Sequence, residues 1–199
     1  MFSNKDLRKL IIPLVIEQLL AVTIGMADTV MVSSCGEAAV SGISLVDSIN
    51  FLLITLFSSL ATGGAVIASQ YIGRGDHKSA SLAAKQLFYA SLALSVVLGV
   101  IAVFFRKPVL NMVFGSIEAD VMAHAQIYFL LSAISYPFLA VYNAGAALFR
   151  SMGDSRTTML ISILMNTINI VGNAILIYGF QMAAAGAATA SLVSRAVGA

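Results

Sequence analysis

Long apolar stretches separated by short polar segments make up almost the whole chain. Six stretches can be drawn, at residues 10–32, 43–72, 80–105, 121–149, 159–178 and 182–199. Each reaches the roughly 20 residues that a helix needs to cross a bilayer, except the last, which stops at about 18. The sequence lacks the alternating ten-residue segments typical of outer-membrane barrels, so the spans are expected to be helices. The pattern predicts an all-α integral membrane protein, a six-transmembrane-helix bundle.

Composition agrees with a membrane protein and narrows its function. Only 10% of the residues are charged and 59% are hydrophobic, whereas a soluble domain carries about 25% charged residues. With a net charge of +2, the chain has no basic patch that would suggest nucleic acid. The sequence contains no nucleophile–base pair, metal cluster or nucleotide motif. We therefore expect a protein surrounded by membrane lipid that is not an enzyme and needs no cofactor.

The distribution of lysine and arginine predicts the orientation, because basic loops stay in the cytoplasm. With a cytoplasmic N-terminus, nine basic residues fall inside: Lys5, Arg8, Lys9, Arg74, Lys78, Lys85, Arg150, Arg156 and Arg195. Two fall outside, in segment 106–120, where a short interfacial helix is expected after Pro108. On this interpretation no Lys or Arg lies in the middle of a span. We expect a multi-pass protein of the cell membrane with its N-terminus inside.

An aspartate interrupts the first span, in IGMADTVMV (24–32). A charge near the bilayer centre costs roughly 3 kcal/mol or more unless it is paired or hydrated, so such residues are usually functional. Asp28 could carry a cation or a proton. It could also cap or kink the helix near its outer end.

The fifth and sixth spans supply neutral oxygen ligands. Asn166, Asn169 and Asn173 are spaced i, i+3, i+7 and therefore share one helix face. Their amides could bond neighbouring helices or complete a cation site. In the sixth span, Thr189 and Ser191 could add a hydroxyl, although the run of small residues around them favours tight packing first.

The first two spans carry further polar residues. Glu17 and Gln18 lie in PLVIEQLL (13–20), one turn after Pro13, which removes a backbone donor and is expected to bend the helix. Glu17 could meet a cationic substrate, pair with a distant cation, or lie near the inner interface. Asp47 is interpreted as opening the second helix, where an acidic residue suits the helix dipole.

These residues resemble the multidrug and toxic compound extrusion (MATE) family of transporters, over the N-terminal half of that family. The resemblance rests on the stretches PLVIEQLLAVTIGMADTVMVSSCGEAAVSGIS (13–44), SSLATGGAVIASQYIGRGD (58–76), FRSMGDSRTTMLIS (149–162), NTINIVGNAILIYG (166–179) and GAATASLVSR (186–195). The proline-to-aspartate spacing in the first helix and the RSMGD-type loop are the more specific of these.

The resemblance implies one lobe of a twelve-helix transporter that exports cationic amphiphilic drugs in exchange for Na⁺ or H⁺. Residue by residue, it implies a cation site, with possible Na⁺ at Asp28, completed by Asn169, Asn173 and Ser191, with Thr189 as second choice. Some relatives have an aspartate where this chain has Asn173. That difference leaves Asp28 as the acid of the implied site.

The expected function is therefore a cation-coupled multidrug antiporter. Glu17, Gln18 and Asn166 are expected along the substrate pathway, with Pro13 as a hinge. The second lobe is missing from this chain, so we expect either a fragment or a half-length protein that pairs with another half. The alternatives are a lipid-linked oligosaccharide flippase, which would need cationic side chains in its cavity, and a non-transporting half-length protein.

Overall fold

The computed structural model describes the backbone of residues 4–199, and their side chains except at 4–7, 9, 10, 21, 24, 27 and 28. The described chain consists of helices joined by short corners. They are α1 (Asn4–Ser33), α2 (Glu37–Gly73), α3 (His77–Phe114), α4 (Ala119–Ser151), α5 (Ser155–Asn173), a π-helical turn (Ala174–Gly179) and α6 (Ala183–Gly198). This is the predicted all-α bundle.

Helix α4 is the central element of the bundle. It packs against α2, α3 and α6, while α5 packs against α1 and α6. About half of the most apolar part of α4 is buried within the chain, compared with about a quarter for α2, α3 and α5. The other helices turn large apolar side chains outward, as expected of surfaces that meet lipid or a further part of the protein.

Helices α2 and α4 approach one another closely at Gly42. A Cβ atom at this position would lie 2.8 Å from the Val121 carbonyl oxygen and 2.9 Å from the Ala125 nitrogen. Small residues allow membrane helices to approach in this way. The close approach brings the polar side chains of α2 against those of α4.

Two corners at the same end of the bundle share one design. Gly75 (φ +74°) ends α2 and Gly153 (φ +86°) ends α4, each in the left-handed conformation that glycine adopts without strain. An aspartate follows each glycine and caps the next helix: Asp76 accepts a bond from the Ser79 backbone N–H (3.0 Å), and Asp154 from that of Thr157 (3.1 Å). These hydrogen bonds lower the pKa of both carboxyls.

Helix α3 kinks at Phe105 (φ −108°, ψ 19°), three residues before Pro108. The proline explains the kink, because its ring crowds the preceding turn and its nitrogen cannot donate a backbone bond. The chain remains helical to Phe114, beyond the predicted end of the third span at residue 105. The segment expected as an interfacial helix is thus the second arm of a kinked helix.

Four helical segments are long and apolar enough to span a membrane, among the described residues: Glu37–Gly73, His77–Phe114, Ala119–Ser151 and Ser155–Gly179. Helix α6 has 16 residues within this chain, shorter than the predicted 182–199 span. In α1, the described apolar stretch is Ile11–Leu20.

The start of α2 corrects one prediction. The helix begins at Glu37, directly after Gly36, six residues before the apolar span drawn from about residue 43. Asp47 therefore lies about 15 Å along the helix axis, at 1.5 Å per residue. It does not open the helix.

Candidate functional site

A cavity of about 120 Å³ lies between α1, α2, α4, α5 and α6. Its apolar wall includes Val32, Ile43 and Ala187. Its polar wall is made of side chains from all five helices: Thr29, Ser44, Asp47, Tyr128, Asn173 and Ser191. The cavity therefore joins residues from distant parts of the sequence around one small volume.

Asp47 is the acidic side chain among the described residues of this wall. Its side chain lines the cavity, and its Oδ1 accepts hydrogen bonds from the Tyr128 hydroxyl (3.0 Å) and the Asn50 amide (3.3 Å). Both donors are neutral, so they orient the carboxylate without cancelling its charge. The interpretation of Asp47 as a helix-terminal charge is thus wrong, and the residue belongs to the cavity.

A buried hydrogen-bond network fixes Asn50 behind Asp47. The Asn50 amide also donates to the Ser132 hydroxyl (3.3 Å), and its oxygen accepts from the Tyr136 hydroxyl (2.9 Å). Asn50 and Tyr136 are almost fully buried. Because both ends of this amide are engaged, Asn50 holds the position of the Asp47 carboxylate through α4.

Arg195 projects from α6 toward the middle of α4. Its guanidinium donates to the hydroxyl of Ser135 (2.6 Å), the central residue of the helix Ala119–Ser151. Its positive charge also acts on Asp47. Arg195 therefore does not belong to a cytoplasmic loop, as its place among the inside basic residues implied, and the expectation that no Lys or Arg lies in the middle of a span is wrong. A helix of small residues gives the long side chain room to reach inward.

A chain of hydrogen bonds links α5 to α6 beside the cavity. The Asn173 amide donates to the Asn169 oxygen (3.3 Å), and the Asn169 amide donates to the Ser191 hydroxyl (3.1 Å). The two helices are close because a Cβ atom at Gly172 would lie 3.0 Å from that of Ala190. Three of the residues predicted for the cation site therefore lie together.

Other residues predicted for the site or pathway lie apart from this chain. Asn166 donates to Ser162 one turn earlier on the same face of α5 (3.2 Å), rather than to Asn169 or Asn173. Thr189 donates to the Ala185 carbonyl one turn earlier (2.7 Å), so Ser191 provides the α6 hydroxyl. Gln18 is exposed, and Pro13 is half-buried inside α1. The side chain of Asp28 lies outside the described residues, although α1 passes through its position.

Glu17 forms an ion pair far from the cavity. Its carboxylate lies 3.3 Å from the Arg150 guanidinium in the last turn of α4, and Thr158 of α5 donates to its other oxygen at 3.4 Å. Glu17 is 7% exposed. Of the three possibilities that the sequence left open, the structure supports pairing with a distant cation.

The sequence contains a partial signal for what was missed. Asp47 and Asn50 are three residues apart, so a polar face was visible in SLVDSIN. The partners of Glu17 and Arg195 give no such signal, because the bonded residues are 133 and 60 positions away. Only the three-dimensional arrangement of the helices brings them together.

The chemistry of the cavity suits a small hard cation. Carboxylate, amide and hydroxyl oxygens are the ligands that such ions prefer, and the cavity has all three. The volume of about 120 Å³ is well below the roughly 300 Å³ at which pockets begin to hold drug-sized ligands. The cavity can therefore hold a cation with a few waters.

Comparisons with known proteins agree with this architecture. The chain is 30% identical to the probable multidrug resistance protein NorM of Thermotoga maritima, over 98% of this chain and 43% of that protein. It is 29% identical to the uncharacterized transporter YisQ of Bacillus subtilis, over 94% of this chain and 41% of that protein. The chain thus spans less than half the length of these relatives.

A solved structure shares the fold. It is described as the outward-facing conformation of a multidrug resistance MATE family transporter of the MOP superfamily. The match has a TM-score of 0.91 at 24% identity and covers 98% of this chain and 43% of the other. The family profile described as MatE matches residues 13–175. This chain, one lobe of a multi-pass membrane transporter, therefore belongs to the MATE family.

Proposed function

We propose that this chain forms the N-terminal lobe of a cation-coupled multidrug antiporter that exports cationic amphiphilic compounds across the cell membrane. The observation that carries the proposal is the small cavity in which oxygen ligands from five helices converge. The relatives named as multidrug resistance proteins support the class of cargo. A second lobe, on the same or another chain, would complete the pathway.

In this proposal, Asp28 binds Na⁺ or H⁺ together with Asn169, Asn173 and Ser191. Loading the site changes the charge next to α1, and α1 then packs differently against α5 and α6. Pro13 is a natural place for α1 to bend, because the helix lacks a backbone hydrogen bond there. Two packings of one helix would alternate access between the two sides of the membrane.

The test is dye efflux from proteoliposomes that contain the full-length protein. Ethidium efflux should follow an imposed Na⁺ or H⁺ gradient in the wild type, and Asp28→Asn should abolish it while insertion stays normal. Asp120→Asn, the same change at an exposed aspartate in the first turn of α4, should retain efflux. Full efflux by Asp28→Asn would contradict the assigned cation site.

A lipid-linked oligosaccharide flippase is the second candidate, and Arg195 favours it. Such a protein needs cationic side chains within its cavity to hold pyrophosphate, and Arg195 lies opposite the middle of α4. We rank this candidate lower because Arg195 bonds Ser135 and acts on the nearby Asp47 carboxylate, which offsets its charge. Translocation of a pyrophosphate-linked lipid without any gradient-driven dye efflux would reverse the ranking.

A further inference from the structure

We propose that Asp47 is a direct ligand of the cation in this cavity, so that α2 contributes a second acid beside the one expected from α1. The inference rests on the proposed cation site and extends it. The resemblance to MATE transporters left one acid, Asp28, because Asn173 stands where some relatives have an aspartate. The structure assigns the second acid to a different helix.

The first argument is the position of the carboxylate. Asp47 shares the cavity wall with Asn173 of α5 and Ser191 of α6, two residues of the proposed site. The cavity wall also includes Gly25 and Thr29 of α1. A cation held between these helices would therefore meet Asp47 without any change in the backbone.

The second argument is the way in which the carboxylate is held. The bonds from Tyr128 and Asn50 both end on Oδ1. A carboxylate has about four lone-pair sites on its two oxygens, so Oδ2 can face a ligand while Oδ1 is anchored. Anchoring through one oxygen orients the group in advance and reduces the entropy that a bound ion would otherwise cost.

The third argument is charge. The donors to Asp47 are a phenol and an amide, and neither neutralises the carboxylate. Arg195 acts on it electrostatically, but its guanidinium is hydrogen-bonded to Ser135. An intramembrane carboxylate that is not in a contact ion pair gains most from a mobile cation.

The size and lining of the cavity select the kind of cation. The volume of about 120 Å³ is well below the roughly 300 Å³ at which pockets begin to hold drug-sized ligands, so the cavity suits a small ion better than an amphiphilic drug. A proton needs one carboxylate oxygen, whereas a metal ion also uses hydroxyl and amide oxygens, which line this cavity. We therefore commit to a small monovalent metal ion, with Na⁺ as the probe.

The test is calorimetric titration of the purified full-length protein with NaCl, with choline chloride as the blank. Asp47→Asn keeps the shape of the side chain and should weaken Na⁺ binding at least tenfold. Asp120→Asn is the matched control and should bind like the wild type. Equal Na⁺ affinity in Asp47→Asn and the wild type would overturn the inference, as would a wild type that does not bind Na⁺.

For a second variant we predict a gain in Na⁺ affinity, which misfolding could not produce. Arg195→Gln removes the positive charge that acts on Asp47, so Na⁺ should bind at least about threefold more tightly. Unchanged or weaker binding would count against Asp47 as a ligand. The two hypotheses can be refuted independently. If Na⁺ binding depends on Asp47 but no gradient drives dye efflux, the proposed antiporter is refuted and the inference stands. If a gradient drives dye efflux but Asp47→Asn does not change Na⁺ binding, the inference is refuted and the antiporter stands.

Discussion

Two carboxylates inside this bundle are held in opposite ways. Glu17 is buried in contact with the Arg150 guanidinium at 3.3 Å. Asp47 faces a cavity and accepts its hydrogen bonds from neutral groups. Arg150 balances the charge of Glu17, and the pair holds two helices together. The neutral donors orient the carboxylate of Asp47 but do not balance its charge, so a cation that binds and dissociates can do so.

The two carboxylates also contact different parts of α4. Arg150 lies in the last turn of the helix, and Tyr128, the partner of Asp47, lies in its first third. Helix α1 takes part in both places, with Glu17 at one end and Gly25 and Thr29 at the cavity. A fixed contact at one place and a cavity at the other would allow α1 to move at the cavity while it stays attached to α4.

Breaking the Glu17–Arg150 ion pair should have the largest effect on the stability of the fold. Arg150→Met leaves the Glu17 carboxylate buried without its counter-charge. Removing one partner of a buried pair typically costs 3–5 kcal/mol, and because Arg150 is 29% exposed we expect a loss of about 3 kcal/mol. Equilibrium unfolding in mixed micelles would measure it.

A double variant shows how much of the lost stability comes from the uncompensated charge of Glu17. Glu17→Gln with Arg150→Met removes both charges and should recover most of the lost stability, because no uncompensated charge remains. Arg156→Met, at an exposed arginine in the first turn of α5, should be close to wild type. If Arg150→Met alone were as stable as wild type, the Glu17 carboxylate would be hydrated and its ion pair with Arg150 would not stabilise the fold.

The sequence predicted the same-helix features better than the contacts between helices. Helical periodicity placed Asn169 and Asn173 on one face of α5, where they are hydrogen-bonded to each other. The choice of Ser191 over Thr189 came from the family resemblance. The expectation that Asp47 opens α2 was wrong, because Glu37 and the small residues that follow it give little apolar signal for the first turns of the helix. The Glu17–Arg150 pair depends on how α1 docks against α4, which no local pattern encodes.

The π-helical turn shows the same limit on prediction. Periodicity places a regular helix through AILIYG (174–179), yet the backbone widens there, directly after Asn173. Such turns are rare and occur often at functional sites. Propensity cannot predict this one, because its hydrogen-bond register depends on how the end of α5 packs.

Weakening the neutral anchor of Asp47 should have an intermediate effect. Tyr128→Phe removes the hydroxyl that donates to Oδ1 and keeps the buried ring. We expect a loss of about 1 kcal/mol, since the carboxylate can find water in the cavity. Equilibrium unfolding in the same micelles should resolve this loss from that of Arg150→Met.

The control is Tyr89→Phe, at a tyrosine of α3 that is 72% exposed, which should leave stability unchanged. If Tyr128→Phe lowered the free energy of unfolding as much as Arg150→Met, the fold would depend on the anchored Asp47 carboxylate as strongly as on the Glu17 ion pair. The comparison between the two carboxylates would then fail.

Changing the capping aspartates should have the smallest effect on stability. Like Asp47, they accept hydrogen bonds from neutral donors, but they lie in water and so provide a reference for it. Thr157 donates to Asp154 through its backbone N–H (3.1 Å) and its hydroxyl (2.6 Å), which lowers the pKa of Asp154 below its ordinary value of 3.8. Because the folded pKa is lower than the unfolded one, the cap stabilises fully above pH 4 or so and loses its effect as pH falls through the lowered pKa. Asp154→Ala should therefore lower Tm slightly at pH 7, and the difference from wild type should shrink as the pH falls below the ordinary pKa of 3.8. Asp76→Ala, at the matching corner, should behave alike, and a difference that stayed constant over the acid range would mean that Asp154 acts through something other than its charge.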